Sequence, residues 1–110
     1  MSKKSKEQKR KRRHVHLRKK LYGTAQKPRM FVFKSNKFFY VGLADDEKGK
    51  VLGSVFAPKK GEVGKNIAKN VLELLKKLKI DTVVFDRSGY KFHGNIKLLV
   101  EELRNKGINI

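Results

Sequence analysis

Asp86, Ser88 and His93 fall within eight residues of one another and are the residue types of a hydrolytic triad. In such a site an acid orients the imidazole, a hydroxyl attacks, and the imidazole moves the proton. The surrounding residues do not complete that chemistry. Arg87-Ser88-Gly89 lacks the Gly-x-Ser-x-Gly of a nucleophile elbow, and Asp86 has no following acidic neighbour before Glu101 with which to share a metal ion. The stretch suits an anion better. Arg87 and Lys91 supply cations, the Asp86-to-Gly89 turn offers backbone N–H groups, and Asp86 is placed to orient Arg87 or to cap the turn. His14 and His16 stand in a run of cations without other ligands at metal-like spacing, so they too read as solvated or anion-contacting side chains.

The elements that must hold this turn follow from the apolar pattern. Residues 82–85, Thr-Val-Val-Phe, suit a short buried strand. Beyond Gly94 the period changes: Ile96, Leu99, Val100 and Leu103 recur at helical spacing, and Gly107 sits where a left-handed cap would end the helix. Upstream, residues 30–33, 38–43 and 51–56 read as three strands. They are joined by the turn residues Ser35-Asn36-Lys37 and by the polar run from Asp45 to Gly49. Turns that short imply an antiparallel meander. After the Pro58-to-Gly61 break, Ile67, Val71, Leu74, Leu75 and Leu78 mark a helix over about 63–78, with lysines on its other face. The expected fold is therefore α/β, a single domain in the order β-β-β-α-β-α. A mixed sheet would bury the apolar stripes of both helices on one face.

Charge bounds the partner. The chain has 110 residues, 29 Lys and Arg against 10 Asp and Glu, a net charge of +19 and a pI near 10.4. Residues 1–20 hold eleven of those cations and one acid, a net +10. Such a segment repels itself and buries too little to fold alone. The domain boundary is placed accordingly: 1–22 as a basic arm, disordered or helical only when bound, and 23–110 as the folded domain. The bland alternative for the arm is a solvated tail or a localisation signal. Because the remaining ninety residues still carry +9, arm and domain are read as sharing one polyanion, with nucleic acid the commonest. A membrane surface fits poorly, since the arm has few apolar residues to insert. There are no cysteines, hence no disulfides or thiolate metal sites. No apolar run is long enough to span a bilayer, and a soluble protein is expected.

Five of the ten aromatics crowd into residues 31–40, beside Arg29, Lys34 and Lys37. Alternation along a strand sends neighbouring side chains to opposite faces, so some of these rings face the helices and others the open side. For any single Phe the default is the core. Tyr40 is the better candidate for the open side, where aromatics among cations suit base stacking.

The run Phe85-Asp86-Arg87-Ser88-Gly89-Tyr90, then His93-Gly94, then a helix ending in Lys106-Gly107-Ile108, closely resembles the 5S-rRNA-binding L-eighteen family of the bacterial large ribosomal subunit. Arg29 to Lys37 is similar to that family's first hairpin, and Val63-Gly64 with Ile67-Ala68 to its first helix, so the resemblance spans nearly the whole chain. After Tyr40 this chain has Val41-Gly42 where the family usually has Ala-Gln. The resemblance implies a structural protein that binds 5S rRNA and helps attach it to 23S rRNA in the central protuberance, beside neighbouring 5S-binding ribosomal proteins. It implies a cytoplasmic, ribosomal location, with no catalysis and no cofactor. Charge and resemblance together nominate three sets of RNA-contacting residues. In the arm they are Lys3, Lys4, Lys9, Arg10, Lys11, Arg12, Arg13, His14, His16, Arg18, Lys19, Lys20 and Tyr22. In the hairpin they are Arg29, Lys34, Ser35, Asn36, Lys37 and Tyr40. In the loop they are Arg87, Ser88, Tyr90, Lys91 and His93. Two other readings remain at this point: a basic module for another nucleic acid such as duplex DNA, and an RNA-processing enzyme built on Asp86 and His93.

Overall fold

The computed structural model describes Arg10 and residues 21–110. The expectation that the arm folds only when bound lies outside the described residues. From Arg29 onward the order is β1 (Arg29–Lys34), β2 (Phe38–Asp45), β3 (Lys50–Pro58), α1 (Val63–Leu78), β4 (Val84–Asp86) and α2 (Asn95–Asn105). This is the β-β-β-α-β-α order expected from the pattern. The sheet is mixed, with strand order β3-β2-β1-β4. The first three strands form the antiparallel meander, and β4 returns parallel to β1 on the outer side.

Each turn has a local cause. Between β1 and β2, Ser35 donates its N–H to the Phe38 carbonyl (2.9 Å), and its hydroxyl accepts the Phe38 N–H (3.1 Å). Between β2 and β3 the buried Asp45 carboxylate accepts the N–H groups of Glu47 and Lys48, and Gly49 adopts φ 64°. A bulge between Leu43 and Ala44 shifts the β2–β3 register by one residue.

One face of the sheet is the core. Met30 and Val32 of β1, Phe39, Val41 and Leu43 of β2, and Ala57 of β3 are buried there. They pack with Ile67, Val71 and Leu75 of α1 and Ile96, Leu99 and Leu103 of α2. These are the apolar stripes seen in the sequence. Where α1 starts, Asn95 at the head of α2 accepts the Gly64 N–H through its side-chain oxygen (3.2 Å), which ties the two helix starts together. Lys79 ends α1 in the left-handed region, φ 58°, despite its Cβ. Gly107, at φ 90°, ends α2, and Ile108 bonds back to the Leu103 carbonyl.

The last strand begins later than its sequence suggests. Thr82 and Val83 join the C-terminal tail, with a Thr82–Asn109 bridge and a Val83 N–H to Asn109 carbonyl bond of 3.0 Å. Pairing to β1 starts at Val84, so the strand occupies Val84–Asp86. The chain divides its hydrogen bonds between two partners, and apolar character alone does not reveal the division. No helix among the described residues is long and apolar enough to cross a membrane.

Candidate nucleic-acid interface

Strand β4 delivers Asp86 to the start of the polar loop with no exposed surface. One carboxylate oxygen accepts the Ser88 N–H at 2.8 Å, which is the turn cap expected from sequence. The other receives Arg29 Nη1 at 2.9 Å. Arg29 in turn grips Asp46 through Nε (3.0 Å) and Nη2 (3.2 Å), and Asp46 also accepts the Gly23 N–H at 2.8 Å. Burial by itself opposes the Arg29 charge. The hydrogen bonds and charge of Asp46, and then of Asp86, outweigh it and raise the guanidinium pKa above its ordinary value. One cation therefore fastens the β2–β3 turn and the loop, and through Asp46 the chain at Gly23 before β1. This guanidinium is turned inward, with only 13% of its side chain exposed.

Beyond Asp86 the loop is shaped by backbone conformation. Ser88 takes φ 55° and Gly89 φ 78°, and Tyr90 N–H closes the turn on the Arg87 carbonyl (3.0 Å). The Tyr90 hydroxyl accepts the Lys34 N–H at 3.2 Å, which joins the loop to the end of β1. Arg10 lays its guanidinium over the Tyr90 ring, 4.5 Å from the centroid, and donates Nη1 to the Ser88 carbonyl at 2.6 Å. The Lys34 ammonium lies 5.2 Å from the same ring. Burial first, and the charge of Lys59 second, lower the Lys34 pKa. Arg87 is half-buried, and among the described residues its side chain has no hydrogen bond or ion pair; Lys91 and His93 are exposed.

The arrangement has nothing of a hydrolytic site. Asp86 holds the Ser88 backbone and Arg29, while Ser88 is 6% exposed. Among the described residues the His93 ring approaches only the Lys91 carbonyl, at 3.4 Å. Among the described residues no three His, Cys, Asp or Glu side chains converge to hold a metal ion. The second carboxylate that sequence distance hid is Asp46, and a guanidinium lies between it and Asp86.

In the first hairpin, Ser35 is spent on its turn, while Asn36 and Lys37 are exposed beside it. Tyr22 is 58% exposed. Lys3, Lys4, Lys9, Lys11, Arg12, Arg13, His14, His16, Arg18, Lys19 and Lys20 lie outside the described residues.

The core default for the hairpin phenylalanines needs correction. Of Phe31, Phe33, Phe38 and Phe39, only Phe39 is buried. The other three share the open face with the half-buried Tyr40, because Phe39 and Val41 take the inward positions. Phe31 spends its ring over Gly42, where a Cβ would meet it at 2.3 Å. Phe33, Phe38, Tyr40 and the unanticipated Phe56 of β3 form a connected cluster with centroids 5.6–6.2 Å apart. Period-two alternation carried through the Ser35-Asn36-Lys37 register is the signal that could have placed all four.

A basic α/β domain whose buried charge clamp serves its own loop, and whose outer surface offers cations and rings, has the features of a binding protein of the nucleic-acid type. The family model described as ribosomal L18 of archaea, bacteria, mitochondria and chloroplast matches residues 4–110, and the chain belongs to that family. Similar relatives are each named large ribosomal subunit protein uL18. That of Treponema denticola is 41% identical, covering 94% of this chain and 92% of its own. That of Helicobacter hepaticus is 44% identical over 90% and 88%, and that of Phytoplasma mali 46% over 90% of each. The chain is thus a structural constituent of the large ribosomal subunit, and not an enzyme.

Proposed function

We propose that the chain binds 5S rRNA and helps attach it to 23S rRNA in the central protuberance, beside other 5S-binding ribosomal proteins. The observation that carries this reading is the loop from Asp86 to His93. It is rigidly held from behind by Arg29 and Tyr90, and it presents Arg87, Lys91 and His93 outward. A loop held in one backbone conformation places these side chains where they can meet phosphates. Arg10 reaches the same loop, so the basic arm (1–22) and the domain (23–110) are disposed to share one RNA.

Filter binding of labelled 5S rRNA, competed with unlabelled 5S rRNA or tRNA, tests this directly. The expected result is displacement by 5S rRNA at concentrations where tRNA has no effect. Equal displacement by both would reduce the chain to a basic module without this target.

A further inference from the structure

The open face of the sheet departs from the usual alternation of an antiparallel sheet, apolar toward the core and polar toward water. Phe33, Tyr40 and Phe56 are direct cross-strand partners on β1, β2 and β3, so three rings form a row across the sheet. Adjacent centroids in that row are 5.9 Å apart. Phe38 joins beside them, 6.2 Å from Tyr40 and 5.6 Å from Phe56. Phe33 is 50% and Phe56 60% exposed, so the rings at both ends of the row face water. The core does not use these rings, and an exposed cluster of this kind marks a contact surface.

We infer that this row is a stacking platform for unpaired bases of the bound RNA. The inference rests on the RNA-binding reading above. Charge identifies the occupant. No carboxylate occurs between Glu7 and Asp45, nor between Glu47 and Glu62, so β1, its turn, β3 and all of β2 before Asp45 are free of acid. At the turn end of the cluster stand Lys37 and Lys59, while Lys34 of the same end turns toward Tyr90. Lys59 donates its N–H to the Lys37 carbonyl at 2.8 Å, and its charge is felt at Lys34. Rings bordered by cations fit a chain that is aromatic in its bases and anionic in its backbone. A duplex would offer the platform only its phosphates and groove edges, whereas splayed single-stranded bases offer faces. Stacking of this kind tolerates any base, so the platform adds affinity while sequence preference comes from elsewhere.

Three variants of the full chain separate the contributions: Phe33→Ala with Phe56→Ala, Phe33→Leu with Phe56→Leu, and Lys37→Ala with Lys59→Ala. Each is titrated with 5S rRNA and with a single-stranded ten-nucleotide oligoadenylate at several salt concentrations. The alanine pair should weaken both probes by about tenfold or more, with the log–log salt slope unchanged, because rings release no counterions. The leucine pair keeps the apolar bulk without the ring face and should weaken them as well. The lysine pair should lower the slope by roughly 0.7–0.9 for each phosphate no longer neutralised. Wild-type affinity in the alanine pair overturns the platform, and so does an unaffected leucine pair. Loss of association with another large-subunit protein, with RNA affinity intact, also overturns it and assigns the face to that protein. If wild type holds 5S rRNA and tRNA alike, the 5S assignment fails by itself. A weakened alanine pair would then still support stacking.

Discussion

Arg29 and Asp86, 57 residues apart in sequence, meet at 2.9 Å, and the carboxylate has no exposed surface. Removing the cation takes from the buried Asp86, and from Asp46, a guanidinium hydrogen-bonded to both. Arg29→Ala should therefore destabilise the fold by about 3–5 kcal/mol. Asp86→Asn keeps an acceptor for the Ser88 N–H and should cost less, about 1–3 kcal/mol. Urea denaturation measures both. Unchanged stability in Arg29→Ala together with weakened RNA affinity would instead support Arg29 as an RNA-contacting residue.

Arg87 is the converse case, a cation in the same loop whose side chain has no hydrogen bond or ion pair among the described residues. Arg87→Ala should weaken 5S rRNA binding by about 1–3 kcal/mol, the worth of one charge-assisted hydrogen bond to phosphate. Its melting temperature should match wild type. A fall in melting temperature with affinity of the folded protein preserved would assign Arg87 to the turn alone.

The order of elements and both helical stripes were legible in the sequence because each rests on local periodicity. Leu99 and Leu103 are buried where the 3.6-residue pattern put them, and Gly107 takes the positive φ foreseen for it. The clamp was not legible. Asp46 and Asp86 approach one guanidinium only because β4 lies parallel to β1 at the sheet's edge, and that juxtaposition is set by tertiary pairing. The hairpin aromatics lie between these cases. Alternation required some to face outward, but which ones depended on the phase of β2, fixed by the burial of Phe39.

Phe31 and Gly42 are cross-strand partners, and the ring occupies the space of the missing side chain. Gly42→Ala should cost about 1–3 kcal/mol through overpacking. Phe31→Ala combined with Gly42→Ala should recover part of that cost, a coupling visible in a double-mutant cycle by chemical denaturation. Purely additive effects would mean that the ring moves aside freely.

Lys34 carries a charge that burial opposes, so its pKa in the folded protein lies below its unfolded value of 10.5. The unfolded chain binds the proton more tightly, and this group's contribution to stability therefore rises with pH as the proton leaves. Lys34→Met should be more stable than wild type at neutral pH, with the difference shrinking as the pH approaches 10.5. Thermal melts from pH 7 to 10.5 measure this, and a difference that stays constant over that interval would contradict it.

Deleting residues 1–20 removes a net charge of +10 and the Arg10 hydrogen bond to the loop. Binding to 5S rRNA should weaken, and the log–log salt slope should fall by roughly 0.7–0.9 for each phosphate that the arm had neutralised. An unchanged slope would show that the arm is a solvated tail.

The parallel pairing of β4 with β1 also sets an order in time. Met30 and Phe85 are neighbours in the sheet but 55 residues apart along the chain. At about 5–20 residues per second of synthesis, the second follows the first by roughly 3–11 s. Once Asp45 has been added, the nascent chain carries its basic residues 1–20 and the β1–β2 hairpin, while the Asp86 loop has yet to be made. On the proposed function, RNA engaged then would meet the basic residues and the hairpin rings alone. On that proposal, contacts from the loop to RNA begin only when β4 has docked on β1.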